Sequence, residues 1–360
     1  MKKLFVSLAA VFLCASMPFS GSAAGTPEYL LTFNLTFPPT HNRWIKAVKP
    51  WVDELEKRSG GRIRVEPYFA CALSKQAEVM DSVRTGMASL GEAGYGVGIG
   101  NFLFHEQLLT IVRPSRYLIN SIALVDAMEK AFPEAATADW KGTHYILTHS
   151  SEGGSFIGTR DKPITSLEQI KGMKIGVPGG GLSAAQLRAL GATVVGIPTP
   201  DLYMSLEKGV IDGASVDMEL LVSRRLGEVI KHVTLLNSGG DCWYMTMEQR
   251  SYESLPDDLK KIVDEMSGDY ARELFGEFWR SGQEGNARIW IDEMGGHLHA
   301  LSAEDYARAD ELYEKVNAER WTAFLKEKGL PAEEMYRKFR ELEPEFSVPM
   351  SECPLFRFAE

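Results

Sequence analysis

The chain has 360 residues, 44% of them hydrophobic and 24% charged, with a formal net charge of −10. That length allows one large domain or two ordinary ones. The acidic balance, with no basic tract and no interleaved aromatic stripe, argues against a nucleic-acid partner.

The first element in chain order is a leader. Lys2 and Lys3 precede the apolar run LFVSLAAVFLCASM, and the small residues SGSAAG follow. This is the pattern of a secretory signal cleaved after Ala24, and no later segment reaches the about 18–20 apolar residues of a membrane span. Cys14 follows a bulky Leu13 where a lipid-anchor motif needs a small residue, so a signal peptide is the better reading. Removing the two lysines takes the formal charge from −10 to −12. Cys71, Cys242 and Cys353 remain, with no C-x-x-C pair, so neither a zinc knuckle nor a thioredoxin-like motif is supported. In an oxidising compartment three cysteines allow one disulfide and one leftover thiol. Either Cys71 and Cys242 form the bridge, leaving Cys353, or they are buried thiols.

EYLLTFNLTF (28–37) predicts a strand, and FPPTHNRW a turn that opens a helix with Trp44, Ile45, Val48, Trp51, Val52 and Leu55 at helical spacing. A second strand follows at 63–69, then a helix over 74–86 closed by Gly86, then a small, apolar strand from residue 87. This βαβαβ order implies a mainly parallel sheet covered by helices. After Lys141 the pattern recurs. Strands are expected at 143–151, 154–160, 173–177, 191–200, 210–218 and 234–247, and helices at 166–172, 182–190, 201–209 and 219–233. From Leu255 to near residue 344 the pattern is helical. The architecture expected is two α/β lobes with a helical C-terminal third, and small ligands favour the cleft between such lobes.

Catalytic motifs are missing. GMKIGVPGGG (172–181) places a glycine-rich turn between strand and helix, but neither a Lys-Ser/Thr pair nor a G-x-G-x-x-G follows, so it reads as a packing turn or a small-ligand contact. No G-x-S-x-G elbow exists. His105, His144 and His149 read as surface or core histidines. His297 and His299 share one side of an extended segment with no evident third ligand, so no metal site is expected. Asp217 and Glu219 flank Met218 at a strand end, where they can meet a polar ligand or cap the helix that follows. Trp243 and Tyr244 are adjacent in a strand, so at most one easily faces a given pocket.

The segment 161–234 resembles the solute-binding subunits of tripartite ATP-independent periplasmic (TRAP) transporters. The motifs that carry the likeness are P-I-x-S-L-x-x-I-K-G-x-K-I, L-G-A-T-V, Y-x-S-L-x-K-G-V-I-D-G and E-V-I-K-H. SGGRIRVEPYFACALSKQAEVMDSVRTGMASLG before it and SYESLPDDLKKIV after it extend the likeness over nearly the whole mature chain. The resemblance implies a periplasmic, non-enzymatic receptor without cofactor, monomeric, which captures a small organic solute, usually a carboxylate, and delivers it to membrane permease subunits. It implies a two-lobe fold with an interdomain cleft. The first lobe would be 25–147 plus about 238–280. The second would be 148–237 plus part of the C-terminal helices, and 281–360 a helical region packing on both. The lobes would close on the ligand about crossings near 145–150 and the helix 219–231, acting as a hinge.

One departure stands out. Where most of the family carries the arginine that clamps the ligand carboxylate, this chain has Gly176, which would free an arginine-sized volume. Phe156 falls where some acidic-sugar binders carry a second arginine, Thr199 where an aromatic often sits, and Val216 where an asparagine often sits. Two ligand classes stay open. A carboxylate could be met by His41 or by the backbone N–H groups of Gly179–Gly181. An amine or neutral solute could be met by Asp217 or Glu219, with Tyr95, Phe156 and Trp243 as apolar walls. Service to a sensor rather than a transporter, and a secreted enzyme, are the remaining alternatives.

Overall fold

The computed structural model describes residues 27–95, 102–178, 184–240 and 242–359. Two sheets organise it. The first contains β1 (Tyr29–Leu35), β2 (Ile63–Tyr68), β3 (Leu90–Gly94), β5 (Thr143–Ser150) and β11 (Cys242–Glu248), in the order β2-β1-β3-β11-β5. β1 is parallel to β2 and β3, as the βαβαβ pattern demands, whereas β11 enters antiparallel to both its neighbours. The second sheet contains β6 (Phe156–Thr159), β7 (Lys174–Val177), β8 (Thr193–Gly196), β9 (Gly213–Val216), β10 (His232–Thr234) and β12 (His297–His299), in the order β12-β10-β6-β9-β7-β8. β4 (Arg116–Leu118) and β13 (Ser347–Pro349) form a small antiparallel ribbon.

The chain passes between the sheets at 151–155 and returns at 235–240. The two passages are bonded to each other: Ser155 N–H donates to Gly239 O (2.8 Å), and Ser238 N–H to Ser155 O (2.7 Å). Asn237 Nδ2 donates to Gly153 O (3.0 Å). Gly153 and Gly154 both take positive φ (82° and 80°), and a Cβ on Gly153 would lie 2.4 Å from the Tyr117 ring. Only glycine fits there.

A 26-residue helix, Asp269–Met294, spans both lobes, about 39 Å at 1.5 Å per residue. Its Phe275, Phe278 and Trp279 enter the first lobe's core with Leu31, Phe33 and Trp51. Its Ala287 and Trp290 enter the second lobe's core with Ile175, Leu187 and Val216. The C-terminal helices divide in the same way. Tyr306 and Ala309 join the second lobe, while Trp321, Leu325, Met335 and Phe339 pack on the far face of the first sheet with Tyr95, Phe102 and Tyr244.

Three expectations are corrected. The segment 219–233 is not one helix. It forms helix Met218–Ser223 and a short turn Leu226–Glu228, broken at Arg225, whose φ of 56° is left-handed, and both pieces lie within the second lobe. The expected strand 234–247 is the end of β10, a crossing and β11. Cys71 carries a free thiol, so it forms no bridge with Cys242. Cys71 follows the first lobe's β2 in a left-handed turn, whereas Cys242 lies buried in the cluster around Tyr95 and Tyr244.

Candidate functional site

The site is built from residues of both lobes. After β1 the chain turns through Pro38–His41, with His41 N–H donating to Pro38 O (3.0 Å). His41 Nδ1 accepts from Arg43 N–H (3.1 Å). The ring's proton therefore sits on Nε2, which faces Glu219 Oε1 of the second lobe at 3.3 Å. Burial, and then the charges of Arg43 and Arg224, push the His41 pKa down to about 3, so this imidazole is neutral at physiological pH.

Arg43 is 6% exposed and donates from Nη1 to Glu92 Oε1 at 2.7 Å. Its guanidinium lies 4.4 Å from the Trp243 ring and 5.2 Å from the Trp279 ring, which stack on each other at 5.1 Å. Such a planar cation against indole faces gains from cation–π attraction as well as charge pairing. Behind it, His149 Nδ1 accepts from Trp279 Nε1 (3.2 Å), and its Nε2 stands 3.3 Å from Glu92 Oε1. Burial lowers the His149 pKa to about 4, so His149 is also neutral. For Glu92, burial acts to raise the pKa, but Arg43 and His149 outweigh it and hold the carboxyl below its ordinary range. Arg43 Nε and Glu92 Oε2 find no hydrogen-bond partner among the described residues.

The second lobe supplies the end of β9. Asp217 is the N-cap of helix Met218–Ser223, its Oδ1 accepting from Leu220 N–H at 2.8 Å. Glu219, in the first turn, is 5% exposed and its Oε1 has no hydrogen-bond partner among the described residues. Burial raises both carboxyls, and for Glu219 the neighbouring Asp217 charge adds to it. At the other end of this helix stands Arg224, half-buried, with its Nε also without a partner among the described residues. Its charge reaches His41, Glu219 and Cys71. Arg225, by contrast, faces out and pairs with Glu228 (2.7 Å).

Ala70 and Cys71 complete the neighbourhood. Both are non-glycine residues at left-handed φ (53° and 62°). They are held by Ala70 N–H to Phe37 O and Cys71 N–H to Leu35 O, each 3.0 Å. Backbone of this kind costs of order 1–3 kcal/mol per residue and concentrates where a site needs a fixed shape.

Of the residues singled out from the sequence, the structure brings His41, Asp217, Glu219 and Trp243 together. Tyr244 points the opposite way from Trp243, into a core with Phe102 (4.7 Å) and Tyr95 (5.3 Å). Tyr95 is stacked on His105 and bonded to Thr148 Oγ1 (2.6 Å), so it walls no cleft. Phe156 and Val216 are paired in β6 and β9 with no exposed surface. Thr199, half-buried, opens a turn at Thr199–Asp201 whose other two residues are exposed. Gly176 is the sharpest correction. A Cβ there would meet Ile211 Cδ1 at 2.6 Å and Leu202 Cδ2 at 3.1 Å. The position faces the second lobe's core, and no arginine-sized space exists. Gly179–Gly181 lie outside the described residues.

His297 and His299 meet His232, whose Nδ1 is 3.0 Å from His299 Nε2. Even so, no group of three His, Cys, Asp or Glu able to hold a metal is found among the described residues. Sequence reasoning missed Arg43, Glu92, Arg224 and Trp279, and read His149 only as a surface or core histidine, which its full burial matches. The only available signals were the basic residue at the helix opening in THNRW and the doubled arginine in VSRRLG.

Comparison with known proteins agrees with this architecture. The family model described as bacterial extracellular solute-binding protein, family 7, matches residues 34–323. A marine metagenome TRAP solute-binding protein specific for aromatic acid ligands, solved with 3-hydroxybenzoate, is similar with a TM-score of 0.79 and 27% identity, over 89% of this chain and 99% of that one. A TRAP periplasmic solute-binding protein from Bordetella bronchiseptica, with bound mandelate, gives a TM-score of 0.74 and 25% identity over 88% and 99% of the two chains. The C4-dicarboxylate-binding periplasmic protein DctP of Rhodobacter capsulatus is 22% identical over 76% of this chain and 81% of its own.

Proposed function

Since the chain belongs to the bacterial extracellular solute-binding protein family 7, we propose that its cleft captures a small organic carboxylate with an aromatic or apolar body. The observation that carries this reading is Arg224. It is a half-buried cation whose Nε, like that of Arg43 in the tryptophan stack, has no partner among the described residues, and both arginine charges act on His41 and Glu219. Two guanidiniums with spare N–H groups suit the planar geometry of a carboxylate. Trp243 and Trp279 supply an apolar wall for the rest of the ligand. The two most similar structures described above were solved with carboxylates that carry a ring.

The amine or neutral solute suggested by Gly176 loses its premise, because the arginines of this cleft come from other positions. We read the protein as a monomeric periplasmic receptor, without catalysis, that hands its solute to membrane permease subunits. No helix of the described residues is long and apolar enough to cross a membrane.

A thermal-shift panel of benzoate, 3-hydroxybenzoate, mandelate and succinate tests the ligand class. A ligand at 100 times its dissociation constant adds about 2.7 kcal/mol of stability, which moves the melting temperature by several degrees. At least one member of the panel should do so. A flat response to every carboxylate, with a shift from amines, would reverse the reading.

A further inference from the structure

The charges of the cleft do not balance for an anionic guest. Arg43 and Arg224 face Glu92, Asp217 and Glu219, while His41 and His149 are neutral. Arg43 is already paired with Glu92. Among the described residues, a carboxylate arriving beside Arg224 would therefore be a fourth buried anion against two cations, and unpaired buried charge of this kind is costly.

We infer that ligand capture is proton-linked: the Asp217–Glu219 pair takes up one proton as the carboxylate binds, and the neutral Glu219 then donates its O–H into the cleft. The inference rests on the carboxylate reading above. Its geometric basis is the buried Glu219 carboxyl, whose Oε1 has no hydrogen-bond partner among the described residues and stands 3.3 Å across the cleft from the first lobe's His41 Nε2–H, so the added proton is carried on the other oxygen. Asp217 is the poorer proton acceptor, because its Oδ1 is engaged by Leu220 N–H. Burial and mutual repulsion raise both carboxyls, which brings the proton uptake near neutral pH.

The groups around Glu219 support assignment to this pair. From its own lobe it feels Asp217, Arg224 and the Ser223 hydroxyl, and from the first lobe Arg43. His41 does not titrate in this range. On the long helix packed against Met218–Ser223, Arg280 pairs with Glu277 (3.4 Å), Glu284 pairs with Arg357, and Arg288 lies over the Phe358 ring (5.3 Å). On the next turn Glu228 is held by Arg225.

The test is titration calorimetry with benzoate, 3-hydroxybenzoate, mandelate and succinate in phosphate and in Tris at about pH 8. The two buffers differ in ionisation heat, so proton uptake appears as a difference between the binding heats. The expected result is about one proton per ligand, with affinity falling about tenfold for each pH unit above about 8 and level below about 6. In Glu219→Gln the two buffers should give the same heat and the affinity should no longer depend on pH. A probe that binds wild-type protein with equal heats in both buffers overturns the inference and leaves the carboxylate reading intact. Uptake that persists in Glu219→Gln also overturns it, by placing the proton elsewhere. If no probe binds at all, the carboxylate reading fails and the inference falls with it.

Discussion

Arg224 and Arg43 look alike in the sequence and differ in what they do. Arg224 has a spare donor and forms no ion pair with a carboxylate among the described residues. Arg224→Ala should therefore fold normally and lose carboxylate affinity by about a hundredfold, near 2.7 kcal/mol. Arg43→Ala removes the partner of a fully buried Glu92, so the loss should appear in stability as well, about 3–5 kcal/mol, read by denaturant unfolding. The position of the family's arginine gives the converse case. Gly176→Arg restores the residue but not its role, because the side chain would have to enter a core already filled by Ile211 and Leu202. It should lower the melting temperature without improving binding. A variant that binds more tightly than wild type would show that this position reaches the cleft.

At the scale of elements, the two crossings deserve the closest test. Glu152 lies in the first, 2% exposed, with Oε2 accepting from Ser121 N–H (3.2 Å) and Oε1 without a partner among the described residues. Burial pushes its pKa up to about 7. A raised carboxyl favours folding while it is protonated, and that contribution is lost as pH rises through the folded pKa. His41 and His149 act in the opposite sense. Their folded pKa values are lowered, so their contribution is present above about pH 6.5 and lost as pH falls. Between about pH 4.5 and 6.5 the two raised glutamates, Glu152 and Glu219, oppose the two lowered histidines, so stability should be nearly level, then fall steeply below about pH 4.5. Glu152→Gln isolates one side of this balance. It should be more stable than wild type at about pH 8, with the gain vanishing below about pH 5. A gain that is the same at every pH would place its origin in packing instead.

The same elements show what a sequence can reveal. β5, β6 and β7 were legible because alternating or continuous apolar runs dictate strands whatever their neighbours. The crossings were not, because their bonds join segments some 80 residues apart, such as Gly153 to Asn237. The break at Arg225 was hidden because nothing in VSRRLG forbids a helix. Trp243 and Tyr244 could be placed on opposite faces by alternation alone, but which of them meets the ligand depends on Arg43, a residue from another strand–helix junction. Arg43 itself was illegible as a site residue because Glu92, Trp243 and Trp279, which hold it, come from β3, β11 and the long helix.

Over the whole molecule, two lobes meet across His41 and Glu219, joined by paired crossings and braced by the helix Asp269–Met294. Closure on a ligand would turn about 151–155 and 235–240, with the long helix as the common support. Small-angle scattering should show a smaller radius of gyration with a bound carboxylate than without one. The central claim is that Arg224 and Arg43 receive the ligand's carboxylate. It is tested most directly by the crystal structure of the protein with the tightest-binding member of the carboxylate panel. The account predicts carboxylate oxygens within about 3.2 Å of both guanidinium groups, with the ligand body against Trp243 and Trp279. A carboxylate seated away from Arg224, at the turn after Val177 or on the outer surface of either lobe, would contradict it.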